Sequence, residues 1–258
     1  MSLDDHAFDT TAAALASARR VLVLTGAGMS AASGLPTYRG IGGLYNDMVI
    51  DEGLPIEEIL HAYTFARDPA LTWKYIAQIE RACRGGKPNA GHTLLARWDD
   101  RFELCVVTQN VDGFHREAGS RHVIELHGTL ADLSCCACAR TYSLHDFDLA
   151  HLPPRCKDCD GLVRPDVVLF GEMLPARAVA RYEHELEQGF DVVLAIGTTA
   201  GFPYIHTPVI EARRRGALTV EINPDETLLT AEVDVRLALD ACGALELLDQ
   251  RLEKRQRT

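Results

Sequence analysis

Four of the eight cysteines have a spacing that constrains one stretch of the chain more tightly than any other feature of the sequence. Within "CCACARTYSLHDFDLAHLPPRCKDC" they form the pattern Cys135-x2-Cys138-x17-Cys156-x2-Cys159. Two Cys-x2-Cys pairs at this separation can bring four thiolates to the corners of a tetrahedron, the geometry that Zn²⁺ prefers. Chance clustering and redox pairs are the alternatives. Because all four ligands would come from the protein, such a zinc stabilises a fold and does no chemistry. Cys136 fits neither pair.

A glycine-rich turn follows the first strand-like run, "RVLVLTGAG". Residues 21 to 24 are apolar on both faces, as in a strand buried within a parallel sheet. Gly26, Ala27, Gly28 and Ala31 then give a G-x-G-x-x-A form of the dinucleotide turn, whose backbone N–H groups can face a pyrophosphate. Packing alone is the other explanation for these glycines. No apolar strand with an acidic ribose ligand follows about 20 residues on, so ordinary hydride transfer is not expected.

Strand-like and helical segments alternate along most of the chain. The strand-like runs are "RVLVLT", "ELCVVTQN", "HVIELHG", "DVVLFGE", "DVVLAIGTT" and "ALTVEIN". This alternation predicts an α/β fold, a Rossmann-like doubly wound parallel sheet with helices on both faces. Two segments interrupt it, a helical one at 41–87 and the cysteine-rich one at 130–164. We expect these to form a smaller inserted zinc-binding and helical domain, with residues 1–40, 88–129 and 165–258 forming the large domain.

Composition narrows the class of protein further. The 258 residues suffice for one large domain or a domain with a small module, and 47% of them are hydrophobic. The apolar runs have the length of strands, and the first ten residues are acidic without an apolar segment, so neither a membrane span nor a signal peptide is predicted. We therefore expect a cytoplasmic protein. The net charge of −11 argues against nucleic-acid binding and suits either a basic peptide partner or simple solubility.

Polar residues follow two of the predicted strands. In "VVTQNVDGFH" these are Gln109, Asn110 and Asp112, and "VIELHG" places His127 at the end of the next strand. Ligands of open parallel sheets bind beyond the carboxyl ends of the strands, so these side chains are expected in one crevice with Gly26 and Gly28. Turn formation is the alternative for the amide and carboxylate side chains, and a structural histidine is the alternative for His127.

Taken together, these motifs resemble those of the sirtuins, NAD-dependent protein lysine deacylases. The resemblance rests on "GAGMSAASGLPTYRG", "KPNAGH", "TQNVDGFH", "ELHG", the four cysteines, "VVLFGE", "GTT" and "EIN", which occur in the family's order from about residue 21 to 242. It implies breakage of the nicotinamide–ribose bond of NAD, transfer of an acyl group from lysine to ADP-ribose, and one structural zinc. Acyl-lysine proteins or peptides would be the partners, with no membrane involved.

The resemblance also implies roles for individual residues. His127 would be the general base and, with Asn110 and Asp112, would form the catalytic set, the latter two holding the nicotinamide carboxamide. A segment that orders over NAD would run from Ser30 to Arg39. The residues implied in NAD binding are Gly26, Ala27, Gly28, Ser30, Thr37, Tyr38, Arg39, Gln109, Asn110, Asp112, His127, Gly197, Thr198, Thr199, Asn223 and Cys242.

The acyl-lysine site is expected between the two domains. Val167, Val168, Phe170 and Gly171 would line it on one side, although core packing explains Val168 equally well. Sirtuins that prefer succinyl or malonyl lysine resemble one another in a Tyr-x-x-Arg pair, and the matching positions hold Ile76 and Ile79. An uncharged acyl pocket is therefore expected. The stretch 201–203 departs from the family, in which a valine-rich sequence is commoner.

Two rival functions fit parts of the same sequence. ADP-ribosyl transfer to protein, or plain NAD hydrolysis, would use the same NAD contacts and differ only in the acceptor. A non-catalytic binding module built on the zinc segment is the second rival. The presence of Asn110, Asp112 and His127 together argues against that module, and the acidic charge argues against a role on DNA.

Overall fold

The computed structural model describes residues 3–35 and 53–256. Its strands, in chain order, are β1 Arg20–Thr25, β2 Glu103–Thr108, β3 Val123–Glu125, β4 Gly128–Cys135, β5 Thr141–Ser143, β6 Val163–Val167, β7 Val192–Ile196, β8 Leu218–Ile222 and β9 Val235–Leu237. Its α-helices are α1 Leu3–Ser17, α2 Ile56–Ile59, α3 Ala62–Arg67, α4 Pro69–Gly85, α5 Ala90–Trp98, α6 Phe114–Glu117, α7 Ala176–Gln188, α8 Pro203–Arg214 and α9 Ala241–Gln256.

Six strands form one parallel sheet in the order β3-β2-β1-β7-β8-β9. The chain builds outward from β1 in one direction and outward from β7 in the other, so the strand order reverses between these two neighbours. This is the doubly wound arrangement, and it leaves a crevice beyond the carboxyl ends of β1 and β7. The predicted fold class is confirmed.

Both faces of this sheet are buried, which explains the continuous apolar runs in its central strands. Val21 and Val23 point into a cluster with residues of α1, α5 and α9, including the fully buried Trp98. Leu22 and Leu24 point to the opposite face and pack with residues of α7 and α8. Since successive side chains of a strand alternate between faces, only an unbroken apolar run can serve two helical layers.

A second, antiparallel sheet has the order β5-β4-β6 and carries the cysteine-rich segment. Here the structure corrects one expectation, because the run "DVVLFGE" contributes to β6 of this small sheet and not to the parallel one. The sixth parallel strand is β9, which is only three residues long and includes Arg236, so its sequence gives no strand-like run.

The small sheet shares a hydrophobic cluster with the helical segment that precedes α5. Trp73 of α4 is fully buried there, and its indole Nε1 donates to the backbone oxygen of Val163 at 2.9 Å. Cys135 and Cys156 belong to the same cluster. Helices α2 to α4 and the cysteine-rich segment therefore pack as one body of apolar side chains.

No helix in the described part of the chain has the length and apolar content that crossing a bilayer requires. The longest of them, α4, has 17 residues and includes charged side chains.

Candidate active site

The close approach of two backbone turns forms the floor of the crevice. The N–H of Gly28, after β1, donates to the carbonyl of Gly197, after β7, at 2.9 Å. A Cβ on Gly28 would lie 2.7 Å from the Cα of Gly197, and Gly197 itself has a φ of +57°. Only glycine at both positions allows this contact, because a side chain at either would force the turns apart.

Three polar side chains beside this floor form one hydrogen-bonded group. The Asn110 amide nitrogen donates to the carbonyl of Gly26 at 3.0 Å and lies 3.2 Å from the Ser30 hydroxyl. Ser30 in turn donates to Asp112 Oδ2 at 2.6 Å, while Asp112 Oδ1 accepts the N–H of Phe114. Burial raises the pKa of Asp112, and these two hydrogen bonds oppose the rise because they favour the ionised carboxylate.

A second polar group lines the crevice beyond β7 and β8. Thr198 donates to the side-chain oxygen of Gln109 at 2.9 Å, and the Asn223 amide donates to the Thr198 carbonyl at 3.2 Å. Thr199 is exposed beside them. Cys242, in the first turn of α9, lies against the backbone of Gly91, and burial raises the pKa of its thiol. The implied NAD contacts at Thr37, Tyr38 and Arg39 lie outside the described residues.

His127 occupies the turn between β3 and β4. Burial lowers the pKa of its imidazole, and a hydrogen bond to the backbone of Gln109 partly opposes this shift. Its Nε2 lies 2.7 Å from the hydroxyl of Tyr204. A pKa below the usual value of about 6.5 leaves the ring neutral at pH 7, the form that can accept a proton.

Tyr204, in the first turn of α8, is the site residue that the sequence did not indicate. Its ring stacks on that of Phe202, with centroids 5.2 Å apart and an angle of 11° between the planes. Both rings stand edge-on to His127. The only sequence signal was the unusual stretch at 201–203, which includes Phe202 and ends one residue before Tyr204.

Two further histidines are buried behind the crevice and remain neutral. His115 lies 3.0 Å from the Thr25 hydroxyl at the end of β1, and burial lowers its pKa to about 3. His92 completes a capping box with Asn89 at the start of α5, and burial lowers its pKa to about 4. The rings lie 4.8 Å apart. Neither can carry a charge at neutral pH, so the crevice gains no cation from them.

The residues expected around the acyl group share one apolar cluster. Ile76 and Val167 are buried in it, and Ile79 and Phe170 pack against it. Val168 donates its N–H to the carbonyl of His127 at 2.9 Å, which ties this segment to the turn between β3 and β4. Gly171 lies so close to the ring of His61 that a Cβ would come within 2.6 Å of it.

The backbone of this segment is already partly engaged. The N–H of Phe170 donates to the Leu60 carbonyl, and the Phe170 carbonyl accepts the N–H of Ala62. Leu169 donates its N–H to the side chain of Glu172. A peptide that adds a strand here therefore has to hydrogen-bond to the remaining groups of the segment or to those of the loop before α8.

Glu80 and Arg84 of α4 form an ion pair near this cluster. Glu80 is buried, and its Oε1 accepts from the Nε of Arg84 at 2.8 Å while its Oε2 has no hydrogen-bond partner among the described residues. Arg84 is mostly exposed, and Arg81 donates its Nε to the Ala77 carbonyl. Glu80 and Asp112 both contribute, after burial, to raising the pKa of the Cys83 thiol to about 12.

The four predicted cysteine ligands converge on one point. Their sulfur atoms all lie within 4.8 Å of one another, with Cys135 and Cys159 3.5 Å apart and Cys138 and Cys156 3.7 Å apart. Tetrahedral Zn–S bonds of about 2.3 Å place sulfur atoms about 3.8 Å apart, so the group fits one zinc. The Tyr142 hydroxyl lies 3.0 Å from Cys156 Sγ and can donate to that thiolate. Cys136 is exposed and stays outside the group.

Fold and site together define a Rossmann-like enzyme of the dinucleotide-binding class with a structural zinc module. The model of the Sir2 family matches residues 26–202. The chain is 51% identical to NAD-dependent protein deacylase 2 of Pseudomonas aeruginosa and 52% identical to that of Pseudomonas syringae. These alignments cover 91% of this chain in both cases, with 93% and 96% of the respective relatives. The chain belongs to the Sir2 family.

Solved structures of Sir2 homologues have the same fold. A Sir2 homologue in complex with NAD has a TM-score of 0.84 and 37% identity, with 95% of this chain and 94% of that chain covered. A Sir2 variant with a deacetylated p53 peptide and 3′-O-acetyl-ADP-ribose has a TM-score of 0.85 and 27% identity, with 94% and 97% covered. The predictions of a sirtuin, of NAD as cosubstrate and of NAD-dependent deacylation are confirmed.

Loss of one zinc ligand should loosen the small sheet. Because Cys135 and Cys156 also belong to its apolar cluster, we expect Cys138→Ser, which leaves that cluster intact, to abolish zinc retention and lower the melting temperature by at least about 5 °C. Metal analysis and calorimetry measure the two effects. Cys136→Ser is the matched control and should behave as the wild type. Full zinc content in Cys138→Ser would contradict the assignment.

Proposed function

We propose that this protein is an NAD-dependent protein lysine deacetylase whose reaction is carried out by Asn110, Asp112 and His127. The observation that carries the proposal is that a half-buried carboxylate, a buried amide and a neutral imidazole lie around one crevice at the switch point of the sheet. When bound, NAD supplies an electrophilic ribose carbon on loss of nicotinamide, and its ADP-ribose carries the acyl group away.

Asn110 and Asp112 are suited to hold the carboxamide of nicotinamide. An amide side chain and a carboxylate can together accept from and donate to a carboxamide group. Their positions are fixed by Ser30, which accepts from one and donates to the other. Loss of a single member of such a network leaves a buried polar group unpaired, so the three act as one unit.

His127 is suited to accept a proton from a ribose hydroxyl. A general base must be neutral at the working pH, and burial secures this by lowering its pKa. Activity should then be flat above about pH 6.5 and fall as the pH drops through the lowered pKa, because protonation removes the lone pair. The Gln109 carbonyl orients the ring by accepting from its other nitrogen.

The remaining implied contacts complete the site. Gly26, Ala27 and Gly28 would present backbone to the phosphates, and Gly197, Thr198 and Thr199 would bind phosphate and ribose. Asn223 would bind the adenine-side ribose, and Cys242 would lie near the adenine. The zinc module and helices α2 to α4 form the smaller domain, with limits near residues 41, 87, 130 and 164. Acyl-lysine peptides enter between it and the large domain.

Replacement of the base should remove catalysis and leave the fold intact. We expect His127→Ala to lower deacetylation by at least about 10²-fold, the usual effect of losing a general base. Its affinity for NAD, measured by calorimetry, should change little. His184→Ala, on the exposed surface of α7, is the control. Deacetylation by His127→Ala within threefold of the wild type would remove His127 from this role.

The product distinguishes deacylation from the rival that uses the same NAD contacts. Deacylation yields O-acyl-ADP-ribose and an unmodified lysine, whereas ADP-ribosyl transfer or NAD hydrolysis yields modified protein or free ADP-ribose. Mass spectrometry of a reaction with an acetyl-lysine peptide separates these outcomes.

The acyl pocket should reject acidic acyl groups. Ile76 and Ile79 provide no cation, Arg84 is paired with the buried Glu80, and Arg81 donates to the Ala77 carbonyl. We therefore expect that no described residue would pair with a desolvated succinyl carboxylate. We expect removal of acetyl to exceed removal of succinyl at least about tenfold, equivalent to about 1.4 kcal/mol. Initial rates on one peptide carrying either group provide the measurement.

A double variant tests the pocket directly. Ile76→Tyr with Ile79→Arg introduces the pair that resembles that of desuccinylating sirtuins, and it should raise succinyl removal at least about tenfold by supplying a bidentate partner. Ile76→Tyr alone is the control, because it adds bulk without charge. If the wild type itself removed succinyl faster than acetyl, the pocket would have to contain a cation, and the expectation of an uncharged pocket would be wrong.

A further inference from the structure

The hydroxyl of Tyr204 lies 2.7 Å from Nε2 of His127, the nitrogen proposed to accept the substrate proton. Because Nε2 faces Tyr204 at 2.7 Å, the hydrogen bond to the Gln109 backbone uses Nδ1. A backbone carbonyl can only accept, so this contact favours the neutral tautomer with the proton on Nδ1 and the lone pair on Nε2. The Tyr204 hydroxyl therefore donates to the lone pair that would accept a substrate proton.

The surroundings of Tyr204 fix this contact. Its ring stacks on that of Phe202, and both rings stand edge-on to the imidazole of His127. Burial raises the pKa of Tyr204 to about 12, so the hydroxyl keeps its proton at any working pH. Tyr204 faces His127 from α8, Phe202 from the preceding loop and the Gln109 backbone from the end of β2. In the described parts of the chain, no ionised side chain contributes to the pKa shift of His127.

We propose that Tyr204 is a positioning residue for deacylation: its hydroxyl fixes the tautomer and the orientation of His127 and yields Nε2 to the ribose hydroxyl when substrates bind. This inference rests on the proposed function of His127. It also gives a role to Tyr204, which directly follows the unusual stretch at 201–203. The side chains of a valine-rich loop could not donate a hydrogen bond to His127.

Tyr204→Phe isolates the hydroxyl because it retains the ring and its stack on Phe202. We expect kcat to fall about 5- to 50-fold with the KM values for NAD and peptide within twofold, since the lost contact orients the base and does not bind substrate. Donation to Nε2 favours the neutral ring, so its loss raises the pKa of His127 and moves the acid limb of the pH profile to higher pH. Tyr182→Phe, another buried tyrosine, is the control and should match the wild type.

A readout independent of turnover keeps this test separate from the proposed function. Freeing Nε2 should make His127 react several-fold faster with diethyl pyrocarbonate in Tyr204→Phe, measured by mass spectrometry of the peptide that contains it. This holds even if the enzyme proves to hydrolyse NAD without deacylation. Equal reaction rates, or an effect confined to KM, would overturn the inference.

A separate group of metal-ligating side chains lies behind the large sheet, away from the crevice. Cys105 of β2, His122 just before β3 and Glu185 of α7 place their ligand atoms within 4.8 Å of one another. Cys105 is only 1% exposed, whereas the His122 side chain is 38% exposed and gives access from solvent. Three elements that are distant in sequence therefore converge with a thiol, an imidazole and a carboxylate.

The carboxylate is already oriented for such a role. Arg20 binds Oε2 of Glu185 at 2.8 Å, and this leaves Oε1 turned toward His122 Nε2 at 3.6 Å. Three protein ligands of sulfur, nitrogen and oxygen type suit Zn²⁺ or Co²⁺, and binding would displace the thiol proton of Cys105, whose pKa burial raises to about 12. The structure assigns to Cys105, His122 and Glu185 a second metal site, one that ties α7 to strands β2 and β3.

Cobalt titration of the zinc-loaded full chain tests this site. We expect a second equivalent to bind with a near-ultraviolet band from one thiolate, and His122→Ala or Glu185→Gln to weaken it at least about tenfold. His184→Ala, on the same helix, is the control. Circular dichroism verifies that the variants are folded. No band from a second equivalent at about 100 µM cobalt, or equal binding in the variants, would overturn the assignment.

Discussion

The hydrogen bond between Gly28 and Gly197 is the contact on which the rest of the site depends. It joins the turns after β1 and β7, where the strand order of the sheet reverses, with no side chain between them. Asn110 then reaches the Gly26 carbonyl of one turn, and Asn223 reaches the Thr198 carbonyl beside the other. A side chain at either glycine would separate these groups, so the crevice requires the bare backbone contact.

Burial and hydrogen bonding set the protonation states of two titratable groups in the crevice, Asp112 and His127. Asp112 is buried but accepts two hydrogen bonds that favour its carboxylate. His127 is half-buried between the Gln109 backbone and the Tyr204 hydroxyl, and burial lowers the pKa of its ring, so it stays neutral. Neither arrangement needs a cation, and the deeply buried, neutral His92 and His115 supply none.

The small sheet and helices α2 to α4 share one apolar cluster with the segment that follows β6. Trp73 binds the backbone of β6, and two zinc-ligating cysteines share its apolar cluster, so the metal and helix α4 stabilise each other. The segment after β6 hydrogen-bonds to the His127 carbonyl through Val168 and to the helical segment through Phe170. Loss of the zinc should therefore also disturb the packing around the proposed acyl pocket, although no ligand cysteine approaches the reacting atoms.

The sequence by itself determined the parts that depend on local pattern. Apolar runs on both faces imposed a buried parallel sheet, the Cys-x2-Cys pairs imposed a tetrahedral thiolate site, and the order of the motifs identified the family. Only the tertiary structure decided that "DVVLFGE" joins the small sheet and that the three-residue β9 completes the large one. It also decided that Glu80 is buried near the apolar cluster that contains Ile76, and that the Tyr204 hydroxyl contacts His127. These outcomes depend on contacts between residues far apart in the chain, 77 positions for Tyr204 and His127, and no local periodicity records them.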